Sequence, residues 1–311
     1  MPEVYIPLSL IAVLLFAYFA VAFAVARHIL FKKAKTDEEA FSTERDAGIS
    51  EDEIFYSNTN TVGITSKTDR LALSGDIFLC EEESKRWVIT LHGYGSQNAT
   101  MAKYAKMFNV MGYNVLAVEH RNSGKSQGKY YTFGYKESMD CADWIEYLKT
   151  TQEVEYLGLF GISMGAATAI LTAEKSKDVN FLIAYCSYSS YKAIIVHQMC
   201  KQMGNFSKVF YPGVAFASFV LTGLKSWKIR PDKSIKGVKC PTLILHSKAD
   251  DFTPYTHSVE IHEGNENTEI HLFAKGRHAR AYAADKDEYT RTIDNFLKET
   301  EKKLSKNQHN I

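Results

Sequence analysis

The chain has 311 residues, 45% of them hydrophobic and 23% charged, with a formal net charge of +1. That length, less an apolar N-terminal stretch, holds one α/β domain with an insertion, and the balanced charge implies no nucleic-acid or polyanion partner. Five scattered cysteines with no C-x-x-C pair exclude a disulfide framework and a zinc site, so no metal is expected.

Residues 8–26 are apolar except for Ser9. As a helix they span about 28 Å, close to the thickness of a hydrocarbon core. Three readings compete: a transmembrane anchor, a signal peptide cleaved after Ala24-Val25-Ala26, and a core helix. The start lacks a positive n-region, and few buried helices are so uniformly apolar. An anchor over 1–31 is therefore the reading taken, with the membrane as a partner. Arg27, Lys32, Lys33 and Lys35 follow the run and only Glu3 precedes it, which by the positive-inside rule turns the rest of the chain to the cytoplasm. A charged, polar tether is expected over 32–53, a catalytic domain over 54–300 and a polar tail over 301–311.

Strand patterns lie at 61–65, 71–79, 87–91, 114–118, 156–160, 181–185, 242–245 and 268–273. Helical patterns fall at 101–111, 138–149, 166–175 and 258–263, and an amphipathic helix closes the domain at 282–299. Strands alternating with helices predict a mostly parallel, eight-stranded, doubly wound sheet with antiparallel strands at its front. The stretch 188–239 separates two strands by more than a crossover helix needs. It is rich in aromatic residues, and is read as a helical cap that shapes an apolar acyl pocket, with Phe216 and Phe219 as candidate substrate contacts. A second membrane helix there competes weakly, since Pro212, Gly213 and Gly223 interrupt the run.

The chemistry centres on Gly161-Ile162-Ser163-Met164-Gly165, which ends a strand and opens an alanine-rich helix. This strand–turn–helix context is what a nucleophile elbow requires: a strained turn lifts Ser163 clear of the sheet, and glycines let the two backbones pass. A serine hydroxyl needs a base to take its proton, and the base needs an orienting carboxylate. Asp250-Asp251 follows one strand, and Gly276-Arg277-His278 follows the last. His246, His257, His262 and His271 lie within strand or helix patterns and lack that loop context.

Together with His92-Gly93-Tyr94-Gly95, these blocks resemble the α/β-hydrolase fold family. More narrowly, they resemble bacterial membrane-anchored or cell-surface hydrolases of the serine-aminopeptidase-like and lysophospholipase-like group. The resemblance covers roughly residues 50–300. It implies Ser163 as nucleophile, Asp250 as the acid (four residues before Pro254, where Asp251 is not) and His278 as base. It also implies an oxyanion hole from the backbone N–H groups of Tyr94 and Met164, and no organic cofactor. In relatives the loop 130–134 lies near the substrate entrance, which adds Tyr131 and Phe133, with the Tyr94 side chain, as substrate-binding candidates. His92 is expected to organise its loop.

The chain departs from the family twice. Glu119-His120-Arg121-Asn122-Ser123-Gly124-Lys125-Ser126 lacks the histidine and first glycine that many relatives carry there. Gly124-Lys125-Ser126 is no P-loop either, because Glu119 stands where the first glycine is required. Cys186 occupies a strand end where relatives often have an acidic residue; as a rival nucleophile it has no matching histidine. The expected activity is cleavage of a carboxylic ester, lipid-like or acylated, through an acyl-enzyme. A peptidase or acyltransferase with the same triad, and a silent membrane-associated binding protein, remain as alternatives. The family resemblance, unlike the charge bias, favours the outer face of the membrane.

Overall fold

The computed structural model describes residues 7–56 and 59–308. Helix α1 (Leu8–Leu30) is followed by α2 (Asp37–Asp46) and α3 (Glu51–Ile54). Strands β1 (Thr59–Thr65), β2 (Ala72–Phe78) and β3 (Arg86–Leu91) lead to α4 (Ala102–Val110). Strand and helix then alternate through β4 (Asn114–Val118), α5 (Glu137–Thr151), β5 (Tyr156–Ile162), α6 (Met164–Ala173) and β6 (Phe181–Tyr185). Helices α7 (Tyr191–Met203), α8 (Tyr211–Thr222) and α9 (Pro231–Ser234) intervene before β7 (Thr242–Ser247), α10 (Thr256–His262) and β8 (Thr268–Phe273). Helices α11 (Ala281–Ala284) and α12 (Lys286–Gln308) complete the order.

The eight strands form one sheet in the order β1-β2-β4-β3-β5-β6-β7-β8. β1 pairs with β2 and β2 with β4 antiparallel; every later pairing is parallel. Strands β4, β5 and β6 are buried along their whole length, which is why they read as unbroken apolar runs. Alternate side chains feed two cores. Phe160 and Phe181 join Tyr104, Phe108, Tyr289 and Phe296 on one face, while Leu159 and Leu182 join Trp144, Leu148 and Ile170 on the other. Neighbouring parallel strands therefore end along one edge, where an open α/β sheet builds its site.

The stretch expected to be a tether instead holds two helices packed on the body. Thr36 and Glu39 form a reciprocal capping box at the start of α2. Behind it, buried Glu44 pairs with buried Lys103 of α4, Nζ to Oε2 2.5 Å. The closing amphipathic helix breaks at Asp285 and then runs through Gln308 into the expected polar tail. Residues 1–6 of the expected anchor and 309–311 of the tail lie outside the described residues.

A third apolar cluster joins α1 to the insertion. Ala22, Ala26 and Leu30 of α1 are fully buried with Val214, Ala217, Tyr191 and Leu224. The helices meet at small residues: a Cβ on Gly213 would lie 2.8 Å from the Ala22 Cβ. The Tyr18 hydroxyl receives the Gly213 N–H at 3.0 Å and donates to the Val209 carbonyl at 3.1 Å.

Candidate active site

β5 passes into α6 with no intervening loop, so one residue must turn the chain. That residue is Ser163, at φ 56° and ψ −112°. A non-glycine residue held there costs on the order of 1–3 kcal/mol. The turn is possible because its flanks have no side chains: a Cβ on Gly161 would lie 2.2 Å from the Gly165 carbonyl oxygen, and one on Gly165 2.0 Å from that of Leu91. The Ser163 N–H donates to the Tyr185 carbonyl at 2.8 Å, which ties the turn to β6.

Loops after β7 and β8 bring the two partners to this serine. His278 Nε2 lies 2.9 Å from Ser163 Oγ, and His278 Nδ1 lies 2.7 Å from Asp250 Oδ2. The other Asp250 oxygen accepts the N–H groups of Phe252 and Thr253, each at 2.9 Å. Buried His246 reaches the same carboxylate, its Nε2 3.2 Å from Asp250 Oδ2, while its Nδ1 is held by Ser258 Oγ at 2.7 Å. His246 lies within a strand pattern, and the sequence assigns it no part in the site; the one signal of this contact is its spacing of four residues before Asp250. Asp251, the rival carboxylate, points away and pairs with Lys201 and Arg277.

Burial alone would raise the Asp250 carboxyl, but hydrogen bonds from His246, His278 and the backbone hold it far below the ordinary carboxylate range. Burial likewise opposes a charge on His278. The Cys186 sulphur and the Asp250 carboxylate outweigh it, and the imidazole is pushed up to about 10. Cys186 is fully buried at the end of β6 with φ 49°, its N–H donating to the Leu245 carbonyl at 2.8 Å. Among the described residues, the ligand atoms of Cys186, Asp250 and His278 form the one compact group with metal-ligating chemistry, all within 4.8 Å of one another. A cation there would compete with the imidazole for Asp250.

The loop after β3 lies against the serine: a Cβ on Gly93 would sit 3.6 Å from the Ser163 Cβ. The N–H groups of Tyr94 and Met164 have no acceptor among the described residues. His92 is buried and organises this loop, its Nε2 receiving the His120 N–H at 3.1 Å and lying 3.3 Å from Glu119 Oε2.

A cavity of about 550 Å³ opens on Ser163 and His278. Tyr94 lines it. Tyr131 and Phe133 do not; they stand behind Tyr94 with ring centroids 5.1 and 5.0 Å from it, buried because Tyr131 bonds back to Leu30 and Phe133 packs on Tyr191. Phe216 and Phe219 are also off the cavity wall. Phe216 faces Phe19 of α1, and Phe219 faces Trp227, both on the outer side of α8 because its inner side carries the small residues Gly213 and Ala217. Of the insertion, α7 is the helix that borders the cavity, through Lys201.

A family model described as Hydrolase_4, serine aminopeptidase, S33, matches residues 82–236. The uncharacterized protein YqkD of Bacillus subtilis is 27% identical over 294 residues, 92% of this chain and 95% of its own. The AB hydrolase superfamily protein YisY of the same organism is 23% identical over 248 residues, 68% of this chain and 91% of its own. Among solved structures, an esterase of Pyrococcus furiosus shares the fold with a TM-score of 0.65 at 24% identity, over 82% of this chain and 93% of that one.

Proposed function

Since this chain belongs to the α/β-hydrolase superfamily, we propose that it is a serine hydrolase that cleaves carboxylic esters through an acyl-enzyme. The observation that carries the reading is the continuous relay from Asp250 through His278 to Ser163. Ser163 Oγ attacks the ester carbonyl as His278 Nε2 takes its proton. Asp250 stabilises the imidazolium. The N–H groups of Tyr94 and Met164 receive the oxyanion, each worth on the order of 3–4 kcal/mol when removed. The C–O bond to the alcohol then breaks, and His278 returns the proton to the leaving oxygen. In the second half, His278 takes a proton from water, hydroxide adds to the acyl carbon, and Ser163 leaves with that proton.

The cavity speaks against an aminopeptidase. The two carboxylates on its wall, Glu44 and Asp251, are both paired with cations, so neither is free to hold a substrate ammonium. Acyl transfer to an alcohol other than water uses the same steps, and turnover in the presence of an added acceptor separates it. The test of the main reading is hydrolysis of nitrophenyl esters from acetyl to palmitoyl. Turnover by the wild type that vanishes in Ser163→Ala, with loss of fluorophosphonate labelling, is expected. Absence of turnover with every ester, despite labelling of Ser163, would reject esterase activity; absence of labelling as well would favour a silent binding protein.

We further read α1 as a membrane anchor, the insertion over 188–239 as a cap on a body spanning 54–300, and the substrate as a lipid-like or acylated ester. The helix is 23 residues long and apolar enough, by length and composition, to cross a membrane. Its flanking cations favour, by the positive-inside rule, a body on the cytoplasmic side. Trypsin added to intact cells should then leave the body uncut, and should degrade it in inverted vesicles; the opposite pattern reverses the orientation.

A further inference from the structure

Exposed apolar side chains on this molecule are not scattered. Of the twenty large ones among the described residues, nine lie on α1 and seven on the segment from Met203 to Trp227. In that segment Phe206 is 69% exposed, Val209 61%, Val220 53% and Trp227 62%. The stretch is also one-signed. From residue 179 to 231 the chain carries Lys192, Lys201, Lys208, Lys225, Lys228 and Arg230, and not one aspartate or glutamate.

The geometry of α1 fixes where this surface must lie. A hydrocarbon core is about 30 Å thick, roughly 20 helical residues. The cap packs along α1 from Tyr18 onward: Tyr18 stacks on Phe210 with centroids 5.3 Å apart, Phe19 meets Phe216, and Ala22 meets Gly213. Residues 8–17 alone rise about 15 Å, half of what a span needs. A bilayer crossed by α1 therefore extends past Tyr18 to the first cation, Arg27, and the level it passes is that of α8.

We propose that the cap from Asn205 to Lys228 is itself a membrane-inserted wedge, seated in the same leaflet as the C-terminal half of α1, so that a lipid ester reaches the Ser163 cavity from the bilayer. This rests on the reading of α1 as an anchor. The wedge meets the requirement that polar groups in hydrocarbon find internal partners. Ser218 Oγ donates to the Val214 carbonyl at 2.7 Å, Thr222 Oγ1 to that of Ser218 at 2.8 Å, and the Gly213 N–H is held by Tyr18. Its lysines have long apolar stems that let the ammonium groups reach anionic headgroups.

Trp227 is a native reporter, because the other tryptophans, Trp87 and Trp144, are buried in the body at 2% and 1% exposure. Full-length protein is reconstituted in vesicles of phosphatidylcholine and phosphatidylglycerol, with brominated phosphatidylcholine as depth quencher and iodide as aqueous quencher. The expected result is loss of most of the Trp227 emission to bromolipid and little to iodide, with the Trp227→Phe variant unresponsive to either. Quenching by iodide and not bromolipid overturns the proposal, as does protection from both, which marks a face covered by a second copy or another protein. Resistance of the protein to alkaline carbonate extraction is read separately, so a failed anchor is distinguished from a cap that stays in water. A second arm uses Phe206→Asp with Val220→Asp. Turnover of a long-chain ester presented in vesicles should fall about tenfold while that of soluble nitrophenyl acetate is unchanged; equal loss on both substrates, or on neither, also overturns it.

Discussion

Ser163 and His278 face each other across a hydrogen bond whose direction depends on protonation. His278 accepts the serine proton only as the neutral imidazole. Its proton is held up to about 10, because Cys186 and Asp250 together outweigh burial. The neutral base therefore accumulates as pH rises, and kcat/KM on a nitrophenyl ester should climb along a limb lying above the ordinary histidine range near 6.5. Cys186→Ala removes one of the two upward influences, and the limb should move to lower pH with Ser163 still reactive. A midpoint that stays in place in Cys186→Ala would assign the whole shift to Asp250. Cys186, standing at a strand end where relatives often have an acidic residue, thus enters as a residue that tunes His278.

Among the elements, the strands were the most legible. Residues 114–118 and 181–185 coincide with β4 and β6, because central parallel strands must be apolar on both faces, and 268–273 coincide with β8, a half-exposed edge strand whose polar and apolar residues alternate. The elbow, the acid and the histidine were legible for a related reason: each stands just beyond such a strand. Less was readable where stability comes from partners far along the chain. Helix α2 has a polar, acidic sequence, and its anchorage is the Glu44–Lys103 pair, 59 residues apart. The outward turn of Phe216 and Phe219 was equally hidden, since an aromatic-rich run does not say which face its small residues will turn toward another helix. The buried pair gives a measurable consequence. Lys103→Met leaves Glu44 buried beside only the more distant Arg280, at 3.7 Å, and should cost about 3–5 kcal/mol. The double variant with Glu44→Leu should recover most of that in thermal unfolding, because no charge is then stranded. Equal loss in the single and double variants would mean that α2 depends on packing rather than on the pair.

At the scale of the whole molecule, the net charge of +1 conceals a separation. The cavity wall around Ser163 carries Lys32, Lys35, Lys103, Lys201, Arg277 and Arg280 against Glu44 and Asp251. Lys103 and Glu44 neutralise each other, and Asp251 is shared by Lys201 and Arg277. Lys32 and Lys35 have no carboxylate within salt-bridge distance among the described residues; Lys32 Nζ lies 4.9 Å from the Tyr94 ring centroid, and Lys35 donates to Thr43 at 2.7 Å. Burial and then the neighbouring Arg280 pull Lys35 below its ordinary value, as expected of a cation short of negative charge. Both lysines follow directly on α1, so the end of the apolar helix is what brings positive potential to Ser163. Such a field draws an anionic ester toward Ser163 and leaves a neutral one indifferent, and it is screened over about 10 Å at 0.1 M salt. For esters matched in acyl chain, kcat/KM should fall with rising salt when the alcohol carries a carboxylate or phosphate, and stay level when it is neutral. Lys32→Gln with Lys35→Gln should flatten the first curve without touching the second. Parallel curves for the two esters in the wild type would show that these cations do not steer substrate, and that the cavity does not sort its substrates by charge.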